Sequence, residues 1–299
     1  MKIQAAVLER ENIKSDFEKN KALTVREVEL EAPGRGEVMI RVAAAGVCHS
    51  DLSVINGTRP RPVPMVLGHE ASGIVEEVGP GIDDLAPGDH VVCIFAPGCG
   101  TCLPCSEGRP ALCTRAAKHH GVGELMTGHR RLSMDGKPVH HHVGVSAFAT
   151  HAVLARQSLV KVEADIPTHI SALFSCAMLT GAGAVFNTAK VTPGSKVAVV
   201  GLGGVGLSAV LGAVAAGAGQ VVVVDPFASK LDTAMSMGAT HAITADDHTT
   251  EAVRDITGGG VDYAIELAGS VKALETAYDC TCRGGMTVTA GLPHPDARM

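Results

Sequence analysis

Residues 197–224 form a run of 28 residues without a charged side chain. By length and apolarity the run matches a membrane span. Its composition argues otherwise. Seven of the 28 residues are glycine, Gln220 interrupts the run near its end, and four consecutive valines close it. Each glycine costs a helix about 1 kcal/mol relative to alanine. A short strand (196–200), a glycine turn, a helix (about 207–216) and a second strand (221–224) account for the same residues better. Strands of a parallel sheet are covered on both faces and read as continuous apolar runs. The chain is therefore expected to have no membrane span.

The turn of this βαβ unit reads Gly201-Leu202-Gly203-Gly204-Val205-Gly206, and the second strand ends in Asp225, 19 positions after Gly206. Strand, G-x-G-x-x-G, helix and an acid about 20 residues on together form a dinucleotide-binding fingerprint. Gly201 allows the tight turn, Gly203 lets a pyrophosphate approach the backbone, and Gly206 lets the helix pack on the strand. The helix N-terminus faces the anion. A carboxylate at Asp225 accepts ribose hydroxyls and repels a 2′-phosphate, so the expected cofactor is NAD. Further strands are expected at 241–244, 262–266 and 285–290, with a helix over 229–237.

Nine cysteines are present. The N-terminal residues lack a signal-peptide apolar block, so a disulfide framework is not expected and the chain reads as cytoplasmic. Four cysteines form a local set, Cys99-x2-Cys102-x2-Cys105-x7-Cys113, in a run rich in glycine and proline. Four thiolates on a short lobe suit a closed, structural Zn²⁺ site; an iron–sulfur cluster or free thiols are the alternatives. Cys48, just past the alternating run 38–42, His69 and Cys176 make a second, dispersed set. Two cysteines and a histidine leave a fourth position open on zinc. Taken singly, Cys176 reads as a packed thiol and His69 as an ordinary histidine. The triplet His140-His141-His142 lies in a loop-like stretch without partner spacing and reads as solvated or packed, and Cys93, Cys280 and Cys282 as ordinary thiols. The charge balance is 25 − 31 = −6 and aromatics are 3%. With no basic run and few rings to stack on bases, nucleic-acid binding is not expected.

Both cysteine patterns, Gly68-His69-Glu70 and the Gly201–Gly206 turn occur in the order found in one family. From about Val7 to its last residues the chain resembles the zinc-dependent alcohol dehydrogenases of the medium-chain dehydrogenase/reductase family. The resemblance implies an α/β plus β fold: an N-terminal GroES-like β-barrel catalytic domain (residues 1–177) and a C-terminal Rossmann dinucleotide-binding domain (residues 178–299). It implies two Zn²⁺ per chain and NAD. Cys48, His69 and Cys176 would hold the catalytic zinc, with Glu70 behind the metal, and Cys99, Cys102, Cys105 and Cys113 the structural one. A catalytic zinc on two cysteines and a histidine is the arrangement known from alcohol dehydrogenases themselves. Asp51 would orient His69. Ser50 matches the hydroxyl that takes the alcohol proton, and His49 a basic position near the cofactor pyrophosphate. Thr180 and Val205 match residues beside the nicotinamide, Lys230 one along the adenosine ribose, and Phe95 a wall of the substrate pocket. Ser53 stands where many members carry a relay histidine.

The resemblance implies hydride transfer between a primary or secondary alcohol (aldehyde or ketone) and NAD. Two alternatives remain: an S-(hydroxymethyl)glutathione dehydrogenase of the same family, and an inactive fragment that binds zinc and nucleotide. Family chains continue for several dozen residues past the fifth Rossmann strand, so a C-terminal truncation lacking the last strand is expected. The partners implied are a small-molecule alcohol or aldehyde and, in the full-length form, further copies of the chain.

Overall fold

The computed structural model of the protein describes residues 1–299. Its contacts divide the chain into two units, Met1–Cys176 and Ala177–Met299.

The first unit holds ten strands: β1 (Lys2–Leu8), β2 (Thr24–Leu30), β3 (Glu37–Gly46), β4 (Met65–Val66), β5 (Glu70–Val78), β6 (His90–Cys93), β7 (Leu132–Met134), β8 (Lys137–His141), β9 (His151–Ala155) and β10 (Leu159–Lys161). Strands β1, β2, β7, β8 and β4 close into a small barrel, and β10, β6, β5, β3 and β9 form a five-stranded sheet. Strand β1 shows how alternation builds the barrel. Ile3, Ala5 and Val7 point inward and are buried, while Lys2 and Gln4 are exposed. These residues share a core with Val28, Leu30 and Val139.

One register places the site. Strands β3 and β5 pair antiparallel, with Gly46 opposite Glu70. Cys48 lies two residues beyond the end of β3, and His69 one residue before the start of β5. The two therefore emerge at the same end of one strand pair. Gly68 makes the entry turn at φ +87°, and a Cβ there would sit 2.5 Å from the Phe148 ring, so only glycine fits. Cys176 arrives through the turn Ala172–Ser175. The segment before that turn is tied to the same sheet by Ser72 Oγ donating to the Thr168 carbonyl (2.7 Å) and by His90 Nε2 against Ser171 Oγ (2.8 Å).

The second unit is a parallel sheet of β11 (Lys196–Val200), β12 (Gln220–Asp225), β13 (His241–Thr244), β14 (Val261–Glu266) and β15 (Thr281–Thr289), in the order β13-β12-β11-β14-β15. Successive residues of its central strands feed opposite cores. Val197, Val199, Val221 and Val223 face one side, and Ala198, Val200, Val222 and Val224 the other. This accounts for the charge-free run, because both faces are buried under helices. The helix of that run spans Gly204–Ala215 and starts earlier than the sequence suggests. Strand β15 likewise begins at Thr281, directly after the helix Val271–Cys280, and a register shift between Val261 and Tyr263 absorbs Gly284 and Gly285. No single helix is long and apolar enough to cross a membrane.

Candidate active site

The ligand atoms of Cys48, His69 and Cys176 lie within 4.8 Å of one another, and Cys48 Sγ is 3.9 Å from Cys176 Sγ. A tetrahedral zinc with arms of about 2.3 Å needs sulfur atoms about 3.8 Å apart. The donor set therefore fits zinc in both spacing and chemistry. Ser50 Oγ lies 3.3 Å from Cys48 Sγ and 3.3 Å from His69 Nε2. It borders the edge of the centre between the Cys48 thiol and the His69 imidazole. Phe95 packs edge-on against His69, ring centroids 5.4 Å apart. Glu70 is buried, but its carboxylate lies against Gly46 and stands outside the converging ligand atoms. It is a charge near Cys176 rather than a ligand.

Behind the imidazole, Asp51 is buried. Its carboxylate accepts the backbone N–H groups of Cys48 (3.3 Å) and Gly68 (3.1 Å) and faces His69 Nδ1 at 3.3 Å. It thereby joins the two segments that carry Cys48 and His69. Burial pushes Asp51 up, but His142 and His69 outweigh it and hold the carboxyl below the ordinary carboxylate range. Burial pulls His69 down, yet Asp51 and Cys48 lift it to about 10. Cys176 donates toward Cys48, which brings the Cys48 thiol down to about 3 and raises Cys176 in turn. Without metal, these contacts favour the thiolate at Cys48, the thiol at Cys176 and the protonated ring at His69.

The second cysteine set also converges. The four thiols of Cys99, Cys102, Cys105 and Cys113 lie within 4.8 Å of each other, with Cys102 and Cys113 sulfurs 3.9 Å apart. Backbone amides of Cys99 and Ala116 donate to Cys113 Sγ, and that of Cys102 to Cys99 Sγ. Thr101 and neighbouring amides bring Cys99 down to about 5, whereas burial pushes Cys105 up to about 11. All four corners come from protein, so this is a closed site.

In the second unit the glycine turn is held by Asp225. Its Oδ2 accepts the Leu202 amide at 2.8 Å and its Oδ1 the Phe227 amide at 3.0 Å. Gly201 has φ +94°, and a Cβ on it would lie 2.6 Å from the Ala268 amide; a Cβ on Gly206 would lie 1.9 Å from the Gly201 carbonyl. A Cβ on Gly203 would meet nothing within 4 Å, and Gly204 beside it is exposed. Glycine at 203 thus answers a need from outside the chain, which fits a pyrophosphate at the helix N-terminus. A cavity of about 260 Å³ opens at the ends of β11 and β12 and is lined by Gly201, Asp225, Pro226, Asp246 and Ser270. Lys230 is not simply solvated. Its Nζ lies 3.5 Å from Asp225 and 5.0 Å from the Phe227 ring centroid. A Cβ on Gly181 would lie 2.2 Å from the Val205 carbonyl, so Thr180 and Val205 sit on neighbouring helices. His49 is exposed at the start of the helix His49–Ile55 and bonds Ser53 Oγ through its carbonyl.

Two family models match the chain: the alcohol dehydrogenase GroES-like domain over residues 34–164 and the zinc-binding dehydrogenase over residues 204–299. The S-(hydroxymethyl)glutathione dehydrogenase of Synechocystis sp. is 39% identical over 281 residues, which cover 92% of this chain and 76% of the relative. The chain belongs to the zinc-dependent alcohol dehydrogenases. The class-3 alcohol dehydrogenase of Pisum sativum is 40% identical over 282 residues, 92% of this chain and 75% of that protein. The benzyl alcohol dehydrogenase of Acinetobacter calcoaceticus superposes with a TM-score of 0.90 at 35% identity, covering all of this chain and 79% of the other. In a zinc-binding dehydrogenase these two converged donor sets are the groups that could hold zinc.

One functional neighbour escaped the sequence reading. His141 and His142 are buried, and His140 and His141 belong to β8 rather than to a loop. His142 Nδ1 lies 3.1 Å from Asp51 Oδ1. Nothing in three adjacent histidines signals which of them turns toward the metal centre.

Proposed function

We propose that the chain reversibly oxidises primary or secondary alcohols at the Cys48–His69–Cys176 centre. The carrying observation is the convergence of these ligands with Ser50 Oγ 3.3 Å from both Cys48 Sγ and His69 Nε2. When bound, zinc supplies Lewis-acid polarisation of the alcohol oxygen and NAD the hydride acceptor. Ser50 accepts the proton of the substrate hydroxyl and passes it on, since a hydroxyl both donates and accepts. Asp51 keeps the Nδ1 proton on His69, so that Nε2 carries the lone pair toward the thiols. Ser53 donates its own hydroxyl to the His49 carbonyl. The outer relay then passes through water or through another base. Asp225, beside Lys230, reads the adenosine ribose, and Thr180 and Val205 support the nicotinamide. We further propose a cytoplasmic enzyme that acts as a homo-oligomer.

The test is Cys48→Ser. It should leave one zinc per chain instead of two and abolish alcohol-dependent NADH formation. Unchanged zinc content with full activity would refute the assignment. A second reading is favoured by the 39% identity to an S-(hydroxymethyl)glutathione dehydrogenase. It requires strong activity with formaldehyde only when glutathione is present, and equal rates with and without glutathione exclude it.

A further inference from the structure

The Asp51 carboxylate gathers four groups, and three of them belong to the segments that carry Cys48 and His69. The fourth is His142, which follows the strand next to β4, 91 positions after Asp51 in the chain. Its place follows from strand register. Strands β4 and β8 pair parallel, with Met65 opposite His140 and Val66 opposite His141. His142, one step beyond β8, therefore falls beside the Leu67–His69 turn. It is fixed there by its own backbone, whose N–H donates to Ser146 Oγ (2.9 Å). That hydroxyl donates in turn to the Val66 carbonyl (2.8 Å). The His142 ring stands edge-on to His69, centroids 5.3 Å apart at 83°, while Phe95 meets the same imidazole at 79°. The side chains of His142, Asp51 and His69 are each 4% exposed or less.

We propose that His142 is a positioning residue for the catalytic zinc centre, holding Asp51 in the orientation from which Asp51 orients His69. An ionised carboxylate only accepts hydrogen bonds. The nitrogens facing it on both histidines therefore carry hydrogen, which leaves His69 Nε2 unprotonated toward the thiols when the ring is neutral. The Nδ1 of His142 is close to Asp51 Oδ1 at 3.1 Å but off the line of a straight hydrogen bond. At that distance the N–H dipole still attracts the carboxylate and favours the Asp51 orientation in which Oδ1 faces His142. Asp51, His69 and His142 also lie close enough to hold an ion themselves. A metal there would have to strip the Nδ1 proton from His69, which Asp51 requires, so the cluster supports the zinc centre rather than forming another. Partners behind a metal ligand typically change metal affinity 10–100-fold. His142 acts one contact further out, which puts its effect at about tenfold.

This inference rests on zinc occupying the Cys48–His69–Cys176 centre. The test compares H142F, which keeps a ring but removes the donor, with H142N, whose amide nitrogen replaces Nδ1. Zinc loss to a competing chelator is followed at both centres, with the four-cysteine centre as internal control, and the visible bands of Co²⁺-substituted protein report ligand geometry. H142F should release catalytic zinc about tenfold more readily and shift the Co²⁺ bands. Its structural zinc should be unchanged, and H142N should restore both readouts. Wild-type zinc retention and spectrum in H142F would overturn the proposal. So would equal losses in H142F and H142N, since the donor kept in H142N would then contribute nothing. Should H142F lose both zincs, H142L against H142N decides, since the two match in shape and differ in the donor. Failure of the wild type to hold a second zinc would instead refute the underlying reading of the centre.

Discussion

The glycine turn of the Rossmann unit separates a residue required by the fold from one required by the ligand. Consider alanine at Gly203 and at Gly206. Gly203 has φ −77° and ψ −171°, a conformation open to any residue, and its Cβ would meet nothing within 4 Å. Removing a glycine from the unfolded chain adds about 0.4–1 kcal/mol of stability. Alanine caps a helix less well than glycine, by an amount of about the same size. The two effects nearly cancel, so G203A should unfold within about 2 °C of wild type. Its Cβ occupies the ground a pyrophosphate needs, so NADH should bind at least about tenfold more weakly.

Gly206 behaves oppositely. Its Cβ would lie 1.9 Å from the Gly201 carbonyl, a backbone atom that cannot rotate away. Helix and strand must separate by about 1 Å or more. Overpacking of this kind costs about 1–3 kcal/mol, here at the upper end. The helical preference of alanine returns about 1 kcal/mol. A net loss of about 2 kcal/mol lowers the unfolding temperature of a unit this size by roughly 8 °C. Thermal unfolding by circular dichroism and NADH fluorescence titration measure both quantities. Wild-type NADH affinity in G203A, or equal destabilisation in the two variants, would refute the reasoning.

Four further outcomes are expected. S50A should keep both zincs and NADH affinity but lose about 100-fold or more in kcat, the usual contribution of a positioned proton carrier; unchanged kcat would remove Ser50 from the proton path. C105S should release the structural zinc and lower thermal stability while leaving the catalytic zinc in place, as metal analysis after gel filtration would report. D225N removes the charge that repels a 2′-phosphate, so the ratio of kcat/KM for NAD over NADP should fall about tenfold or more; a constant ratio would assign Asp225 to turn architecture alone. Zinc uptake should depend steeply on pH. His69 is lifted to about 10 and Cys176 is raised, while Cys48 sits at about 3. Between those values, ligation must expel one proton from His69 and one from Cys176. Affinity should therefore climb about a hundredfold per pH unit there, with two protons released in calorimetry across buffers; release of none would refute the assigned protonation.

The parallel sheet was legible because its strands are buried on both faces: 196–200 and 241–244 match β11 and β13 end to end. Where boundaries moved, a tertiary feature decided. The fifth strand was expected to start at Gly285, yet β15 begins at Thr281 and carries Gly284 and Gly285 inside a shifted register. The barrel left little trace, since β4 is two residues long and β7 three, and apart from the β7–β8 hairpin their partners lie far away in sequence. The cysteine centres were legible for opposite reasons. The four-cysteine lobe is local, so its spacing carries its geometry. Cys48, His69 and Cys176 emerged only as a set, and their convergence depends on Gly46 facing Glu70 across β3 and β5.

Asp225 and His142 mark the limit of such reading. Asp225 was legible as a partner for a ribose, but its grip on the Leu202 amide, which shapes the turn, is visible only in space. D225N therefore tests two roles at once. A cofactor switch without loss of stability assigns the carboxylate to recognition, whereas a joint loss of stability and of both cofactors assigns it to the turn. His142 lies 91 positions from Asp51, and its side chain turns inward because of one parallel pairing between β4 and β8. A shift of that register by one residue would bring His141 or Val143 to the metal centre instead, since successive residues of a strand face opposite ways. The support of the zinc centre is thus written in strand pairing, while its ligands are written in residue spacing.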